Sequence, residues 1–291
     1  MNPRRNFLKQ AGLLSALSLL QPEALFARPA TLKVGLQLYT LREYIGQDVK
    51  GVLAKVARAG YTEVETYGYN PQSHFWGLTP KDFKAALAAN SLTTSSGHYE
   101  FNDFMRDGQA DALKPYLEAA RTCGQAYIVV PHLGSQLRKT PEDFKILADR
   151  LNQAGALCKS AGLKLAYHNH DFEFKPVNGV MLFDVLLRET DPALVDFELD
   201  LYWVVRAGQD PIKMLEAHPK RFAMWHVKDM DRTEPAHNTE VGNGSIDFKK
   251  IFQHAQASGL KHLFVEQEYF AKDAFQSIAQ SAAYIKKELL S

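Results

Sequence analysis

Cysteine is almost absent. Two thiols, Cys123 and Cys158, serve a chain of 291 residues, and neither a CxxC pair nor a Cys/His spacing accompanies them. That argues against a zinc-finger framework and against a disulfide-stapled scaffold. Both cysteines fall in stretches that read as helices, so two buried free thiols are expected. An excess of one charge is lacking too: 34 Lys and Arg face 33 Asp and Glu, for a formal net charge of +1. With no basic stripe either, nucleic acid is not an expected partner. No apolar run is long enough for a stable membrane span. The run over 11–20 covers about half of the ~20 residues required. Linkers, low-complexity tracts and repeats of fixed period are missing, so everything after the leader reads as one domain. A glycine-rich dinucleotide loop is missing as well: after the first strand-like run stands Gln37-Leu38-Tyr39-Thr40-Leu41-Arg42.

What is present begins with a leader. Pro3-Arg4-Arg5-Asn6-Phe7-Leu8-Lys9 is a twin-arginine pattern, followed by the apolar run and then Gln21-Pro22-Glu23-Ala24-Leu25-Phe26-Ala27. We read residues 1–27 as a cleavable Tat-type signal peptide that engages the Tat export machinery and delivers the protein to the periplasm. Cleavage near Ala27 would remove Arg4, Arg5, Lys9 and Glu23, taking the net charge from +1 to −1.

From residue 28 to 291, apolar strand-like runs alternate with amphipathic segments. Strands are expected over 32–39, 62–67, 92–98, 126–131, 164–170, 194–200, 221–228 and 262–267. Helices are expected over 49–59, 79–90, 107–123, 141–161, 181–189, 211–217, 247–258 and 274–289. Thr79-Pro80 and Pro141 mark helix starts, and Gly60 and Gly162 mark stops. Continuous apolar strands between helices imply a parallel sheet covered on both sides. Eight such units are the count of a closed (β/α)₈ TIM barrel; a doubly wound open sheet is the alternative.

In such a barrel the active site lies at the C-terminal strand ends, and here those ends are ionisable. Tyr167-His168-Asn169-His170 closes the fifth strand, with Asp171-Phe172-Glu173 beyond it. Glu198-Leu199-Asp200 closes the sixth, His226-Val227-Lys228-Asp229 the seventh, and Glu266-Gln267-Glu268 the eighth. Glu65, His98 and His132 stand at the second, third and fourth. Side chains alternate with period 2 on a strand, so His168 with His170, Glu198 with Asp200, His226 with Lys228, and Glu266 with Glu268 share faces. Four strand ends of this kind can converge on one hard or borderline cation. Trp203, just after Asp200, is a candidate wall for a sugar ring. Gly242-Asn243-Gly244-Ser245 reads as a tight turn into the helix capped by Asp247, with a phosphate site as the alternative.

These stretches resemble the xylose-isomerase-like barrels, the sugar phosphate isomerases/epimerases that share a fold with endonuclease IV. The resemblance runs over about residues 33–289. It implies one divalent ion held by a Glu from strand five, an Asp from six, a His from seven and a Glu from eight. Asp200, His226 and Glu266 match the last three, and His168 stands where the Glu is usual. Either His168 or His170 could reach the ion, the other then touching substrate. Mn, Zn, Co or Fe would suit the donors. In the family's ketose epimerases two carboxylates act on opposite faces of the substrate. A histidine in one place suits a one-sided proton abstraction, as in inosose dehydratase-like and 3-keto-glycoside lyase-like relatives.

The expected activity is therefore a metal-dependent sugar isomerase or epimerase acting through an enediolate on a keto-sugar. A lyase or dehydratase on a 3-keto-glycoside or inosose is the second reading, and a non-catalytic sugar-binding barrel the rival of another class. His170, Lys228 and Glu266 are the expected catalytic residues. Glu65, His98, Trp203, Glu173 and Asp229 are the expected carbohydrate contacts. The oligomeric state, including a homo-oligomer, is open.

Overall fold

Every one of the eight expected strands forms, and they close on themselves. The computed structural model describes residues 32–291; the leader read at 1–27 lies outside the described residues. The barrel strands are β1 (Val34–Gln37), β2 (Glu63–Thr66), β3 (Thr93–His98), β4 (Tyr127–Val130), β5 (Lys164–His168), β6 (Val195–Asp200), β7 (Met224–Val227) and β8 (His262–Val265). Each pairs in parallel with its neighbours, and β1 closes on β8 through Val34 opposite Leu263. Sequential parallel pairing with helical crossovers is the (β/α)₈ barrel.

The crossover helices are α1 (Val49–Arg58), α2 (Pro80–Ala88), α3 (Lys114–Cys123), α4 (Pro141–Ser160), α5 (Leu182–Glu189), α6 (Pro211–Ala217), α7 (Phe248–Phe252) and α8 (Ala274–Tyr284). Local chemistry sets their starts. Thr140 and Asp143 form a reciprocal capping box ahead of Pro141 in α4, and Thr79 caps α2 by accepting from the Asp82 N–H. Three expected helices differ at an end. The segment expected from 107 enters α3 through a 3₁₀ turn, Ala110–Leu113. The one expected over 247–258 breaks between α7 and a short helix Ala255–Ser258. After α8 the chain continues as a π-helical turn, Ile285–Leu289. Short helices Asn102–Asp107 and Leu201–Arg206 and a small hairpin, Asp229–Met230 with Asn238–Thr239, decorate the C-terminal rim. Among the described residues no helix is long and apolar enough to cross a membrane.

Alternation along the strands divides the molecule. Outward residues such as Leu36, Val64, Ile128, Leu165, Leu199, Trp225 and Leu263 join the helices in one buried core. Tyr127, Val129, Ala166, Met224 and Phe264 form a separate apolar plug. Gly35 is required there, because a Cβ would lie 2.4 Å from the Phe264 ring. Above the plug, toward the C-terminal ends, the same alternation delivers Glu65, His98, His168, Glu198, Asp200, His226 and Glu266 to one place. The apolar plug is the floor on which they stand.

Both cysteines are buried and free, as expected. Burial pushes each thiol from its ordinary 9.0 up to about 12. A group whose folded pKa is raised favours folding fully below its unfolded value and loses that contribution as pH rises. Stability is therefore expected to fall between about pH 9 and 12. Thiol titration of the native protein at pH 8 should find no reactive sulfhydryl, against two after denaturation.

Candidate metal centre and active site

Two buried carboxylates at the base of the site hold three histidines. Glu65 accepts at Oε2 from Gln37 Nε2 (2.7 Å) and His226 Nε2 (2.7 Å), while Ser96 Oγ donates to Oε1. Glu198 Oε2 lies 2.8 Å from His98 Nε2, 3.1 Å from His168 Nδ1 and 3.2 Å from His226 Nε2. Each contact turns the opposite ring nitrogen outward. His168 Nε2 and His226 Nδ1 both stand 3.9 Å from Asp200 Oδ2, and Glu266 Oε2 is 3.2 Å from His226 Nδ1. A carboxylate behind a histidine fixes its tautomer and raises its basicity as a ligand.

The outer set fits a divalent cation. Asp200, His226 and Glu266 each offer an atom within 4.8 Å of the others. Asp200 is fully buried and caps the Trp203 N–H with Oδ1 (3.0 Å), yet its Oδ2 has no hydrogen-bond partner. An orphaned carboxylate oxygen facing two imidazole nitrogens is the signature of a missing positive charge. With His168 Nε2 the donor set is two nitrogens and two oxygens, within the reach of Mn, Fe, Co or Zn chemistry. A second cluster, His98, His168, Glu198 and His226, meets the same distance test deeper in the barrel. We assign that cluster to hydrogen bonding, because Glu65 and Glu198 there already share His98 and His226 as partners.

Electrostatics follow from burial and pairing. Burial pushes Asp200 up to about 6 and, with Glu65 beside it, Glu198 up to about 7. Burial opposes ionisation of Glu65 and Glu266 also, but their cationic neighbours outweigh it and hold both well below the usual carboxylate range. Burial acts on His98 in the opposite sense to Glu65 and Glu198, which prevail and raise it to about 9. Burial, with neighbouring histidines and Lys228, holds His168 well below 6.5 and brings His170 to about 3. Both are neutral imidazoles near pH 7. Burial works against the charge on Lys228, but Glu266, Asp200 and Glu268 overcome it and hold the ammonium above its ordinary range.

Above these groups opens a pocket of about 400 Å³. His98, His168, His170, Trp203, Lys228 and Glu266 line it, with Tyr39, Tyr67, Tyr69 and His132 toward the rim. The two histidines at strand five occupy different positions. β5 ends at His168, which faces Asp200, whereas His170 lies one step beyond, near Trp203 (ring centroids 5.4 Å), with Nδ1 free of partners. A larger open depression beside Lys114, Glu118 and Arg121 gathers no such cluster of metal-ligating groups.

Three expected substrate contacts are placed elsewhere. Glu65 is fully buried with both oxygens engaged, so it orients His226. Glu173 is fully buried, accepting from Tyr167 Oη (2.7 Å) and the His170 N–H (2.9 Å), and pins the turn after β5. Asp229 is fully buried and accepts from the backbone N–H groups of the 242–246 loop. Lys228 is in place on the pocket wall, its charge held by Glu266, Asp200 and Glu268. Glu198 and Glu268 went unassigned in the sequence, although each stands two residues from a ligand candidate. That period-2 spacing was the available signal.

A parallel eight-stranded barrel with a buried His/carboxylate cluster beneath a C-terminal pocket sets donors that suit a divalent cation beside room for a small molecule. The chain belongs to the xylose isomerase-like TIM barrel family, whose profile matches residues 53–288. It is 26% identical over 272 residues to an inosose dehydratase of Geobacillus thermodenitrificans, covering 81% of this chain and 88% of that one. It is 30% identical to a sugar phosphate isomerase/epimerase from Parabacteroides distasonis, with TM-score 0.79 over 93% of this chain and 99% of that one. The IOLI protein, whose crystal structure holds a zinc atom, shares the fold at 16% identity and TM-score 0.70, over 89% of this chain and 98% of that one.

Proposed function

We propose that this protein is a metal-dependent carbohydrate lyase of the dehydratase type, acting on an inosose or a 3-keto-glycoside. The observation that carries this reading is the asymmetry of the pocket. One side presents neutral imidazoles, His168 and His170; the other presents a cation, Lys228, held by Glu266 and Glu268. An elimination needs that inequality, because a base must take a proton from one carbon while an acid serves the leaving group on the next. The inosose dehydratase relatives support the same choice.

A divalent ion bound by His168, Asp200, His226 and Glu266 would supply Lewis acidity to the substrate carbonyl. The chain's own groups do the rest. Trp203 offers a face to the ring, and His98 reaches the pocket as a donor. His170, a neutral imidazole on the pocket wall, takes the proton α to the carbonyl. Lys228 gives a proton to the β-oxygen as its C–O bond breaks, and water or an alcohol departs. The carbon–carbon double bond takes up the electron pair of the broken C–H bond.

The test is exchange in D₂O with the metal-loaded protein, a panel of ketoses, inososes and 3-keto-glycosides, and NMR detection. Loss of the α-proton signal with release of water or an aglycone, the α-carbon passing into the double bond, is the expected result. Deuterium with an isomer and no release would establish the isomerase/epimerase reading, which the Parabacteroides relative favours. Protein that takes up no divalent ion when one is supplied, and binds sugar without exchange, would leave only a binding barrel. We further propose, from residues 1–27, export by the twin-arginine route to the periplasm; a lysine pair at Arg4 and Arg5 should keep the protein in the cytoplasm.

A further inference from the structure

The turn that carries two of the pocket's carboxylates has no regular structure of its own. After β8 ends at Val265, Glu266 and Glu268 follow in a stretch free of helix and strand up to Ala274. Both line the pocket, and both hold Lys228. Glu266 is shared with His226, whereas Glu268 has Lys228 as its one charged partner among the described residues. An irregular segment is placed by the partners its backbone polar groups find. The N–H groups of Glu268 and Tyr269 find a single atom, Asn238 Oδ1, at 2.7 and 3.1 Å. Arg42 takes the Glu268 carbonyl from the β1 side (3.2 Å), so this residue is gripped at both ends of its backbone.

Asn238 is 5% exposed and comes from the second strand of the hairpin after β7. That hairpin is itself fixed. It starts at Asp229, next to Lys228, where Asp229 pairs with Thr239 and Met230 with Asn238. On the β6 side, Tyr202 Oη donates to the carbonyls of Pro235 (3.1 Å) and Ala236 (3.0 Å). On the β8 side, His237 stacks on Tyr269, with ring centroids 4.2 Å apart. The hairpin therefore ties the end of β6 to the turn after β8, with Lys228 at its root. Asn238 itself does not line the pocket; it reaches the pocket through Glu268.

We propose that Asn238 is a positioning residue for Lys228: by holding the Glu268 turn, it sets the carboxylate that aims the ammonium into the pocket. For its effect on turnover the proposal rests on the reading of Lys228 as the acid. Asn238→Leu keeps the shape and removes the acceptor. At a temperature where every variant is folded, it should lower kcat about 10²-fold, the scale of a displacement of about 1 Å at a catalytic group. KM should barely move, because the acid acts only in the transition state. Asn238→Asp keeps the acceptor and should retain most of the activity. In a Glu268→Ala background Asn238→Leu should cost no further turnover, since no carboxylate is left to place. A second readout needs no substrate. The losses in melting temperature of metal-free Asn238→Leu and Lys228→Met should not add in the double variant, because both undo one network. Should Asn238→Leu not fold, Asn238→Ser, too short to reach both N–H groups, carries both measurements. Turnover lost in Lys228→Met but kept in Asn238→Leu, or melting losses that simply add, would overturn the positioning role. If Lys228→Met keeps full turnover, the acid reading falls alone, and non-additive melting losses still establish the hold of Asn238 on Lys228.

Discussion

Asp200→Asn is expected to abolish metal binding and to reduce turnover by about 10³-fold or more, the several kcal/mol that a correctly held cation contributes to a developing negative charge. The same substitution should leave the metal-free protein no less stable than wild type. Asp200 is buried, and burial, with Glu266 nearby, pushes its carboxyl up to about 6 against the pull of Lys228 and His226. An acid whose folded pKa is raised contributes fully below its unfolded value of 3.8 and loses that contribution as pH rises through about 6. At pH 7.5 the metal-free wild type therefore carries an ionised carboxylate with an orphaned oxygen, which asparagine does not. Elemental analysis and thermal unfolding give both halves. Wild type should bind about one ion and gain stability with it; the variant should bind none and melt alike with and without metal. A variant that kept its ion would move the centre to the deeper cluster of His98, His168, Glu198 and His226.

The fold was legible because its signal is repetitive. Eight apolar runs between amphipathic segments fit few architectures, and the strand ends fell within a few residues of expectation. The ligand candidates were legible for a related reason: period 2 delivers Asp200, His226 and Glu266 to the interior once the barrel is granted. What the pattern cannot show is which way a carboxylate faces once it is there. Glu173 and Asp229 follow strand ends just as Glu266 does, but backbone N–H groups of nearby turns capture them. Those turns depend on local backbone geometry that residue types alone do not specify. Glu65 and Glu198 were hidden differently. They reach the right cavity, one layer too deep, where histidines intercept them. The reaction changed its order of preference too. His168 at strand five already weakened a symmetric epimerisation, and a charged Lys228 opposite neutral imidazoles, with dehydratases among the relatives, places elimination ahead of isomerisation.

Lys228→Met is the second large effect, on stability and rate together. The ammonium is almost fully buried, 3.3 Å from Glu266 Oε2, bonded to Glu268, and over the rings of Trp203 (5.2 Å) and Tyr202 (5.3 Å). Removing one partner of a buried charge network costs about 3–5 kcal/mol, because the other partner stays behind uncompensated. At roughly 2–4 °C per kcal/mol for a domain of about this size, the melting temperature should fall by about 6–20 °C. Bound metal should restore part of the loss by supplying charge beside Glu266. Loss of a positioned acid should cost a further 10²–10⁴-fold in turnover even in metal-loaded protein. The pH profile separates acid from base. The folded pKa of Lys228 is raised, so its stabilising charge is complete below 10.5 and is lost only above it. As the acid, it should leave wild-type turnover flat across the neutral range, with a fall only at strongly alkaline pH. As the base, it would have to lose its proton first, and turnover would climb with pH. A tenfold rise per pH unit from 7 to 9, absent in Lys228→Met, would give Lys228 the base role and leave His170 as a wall of the pocket.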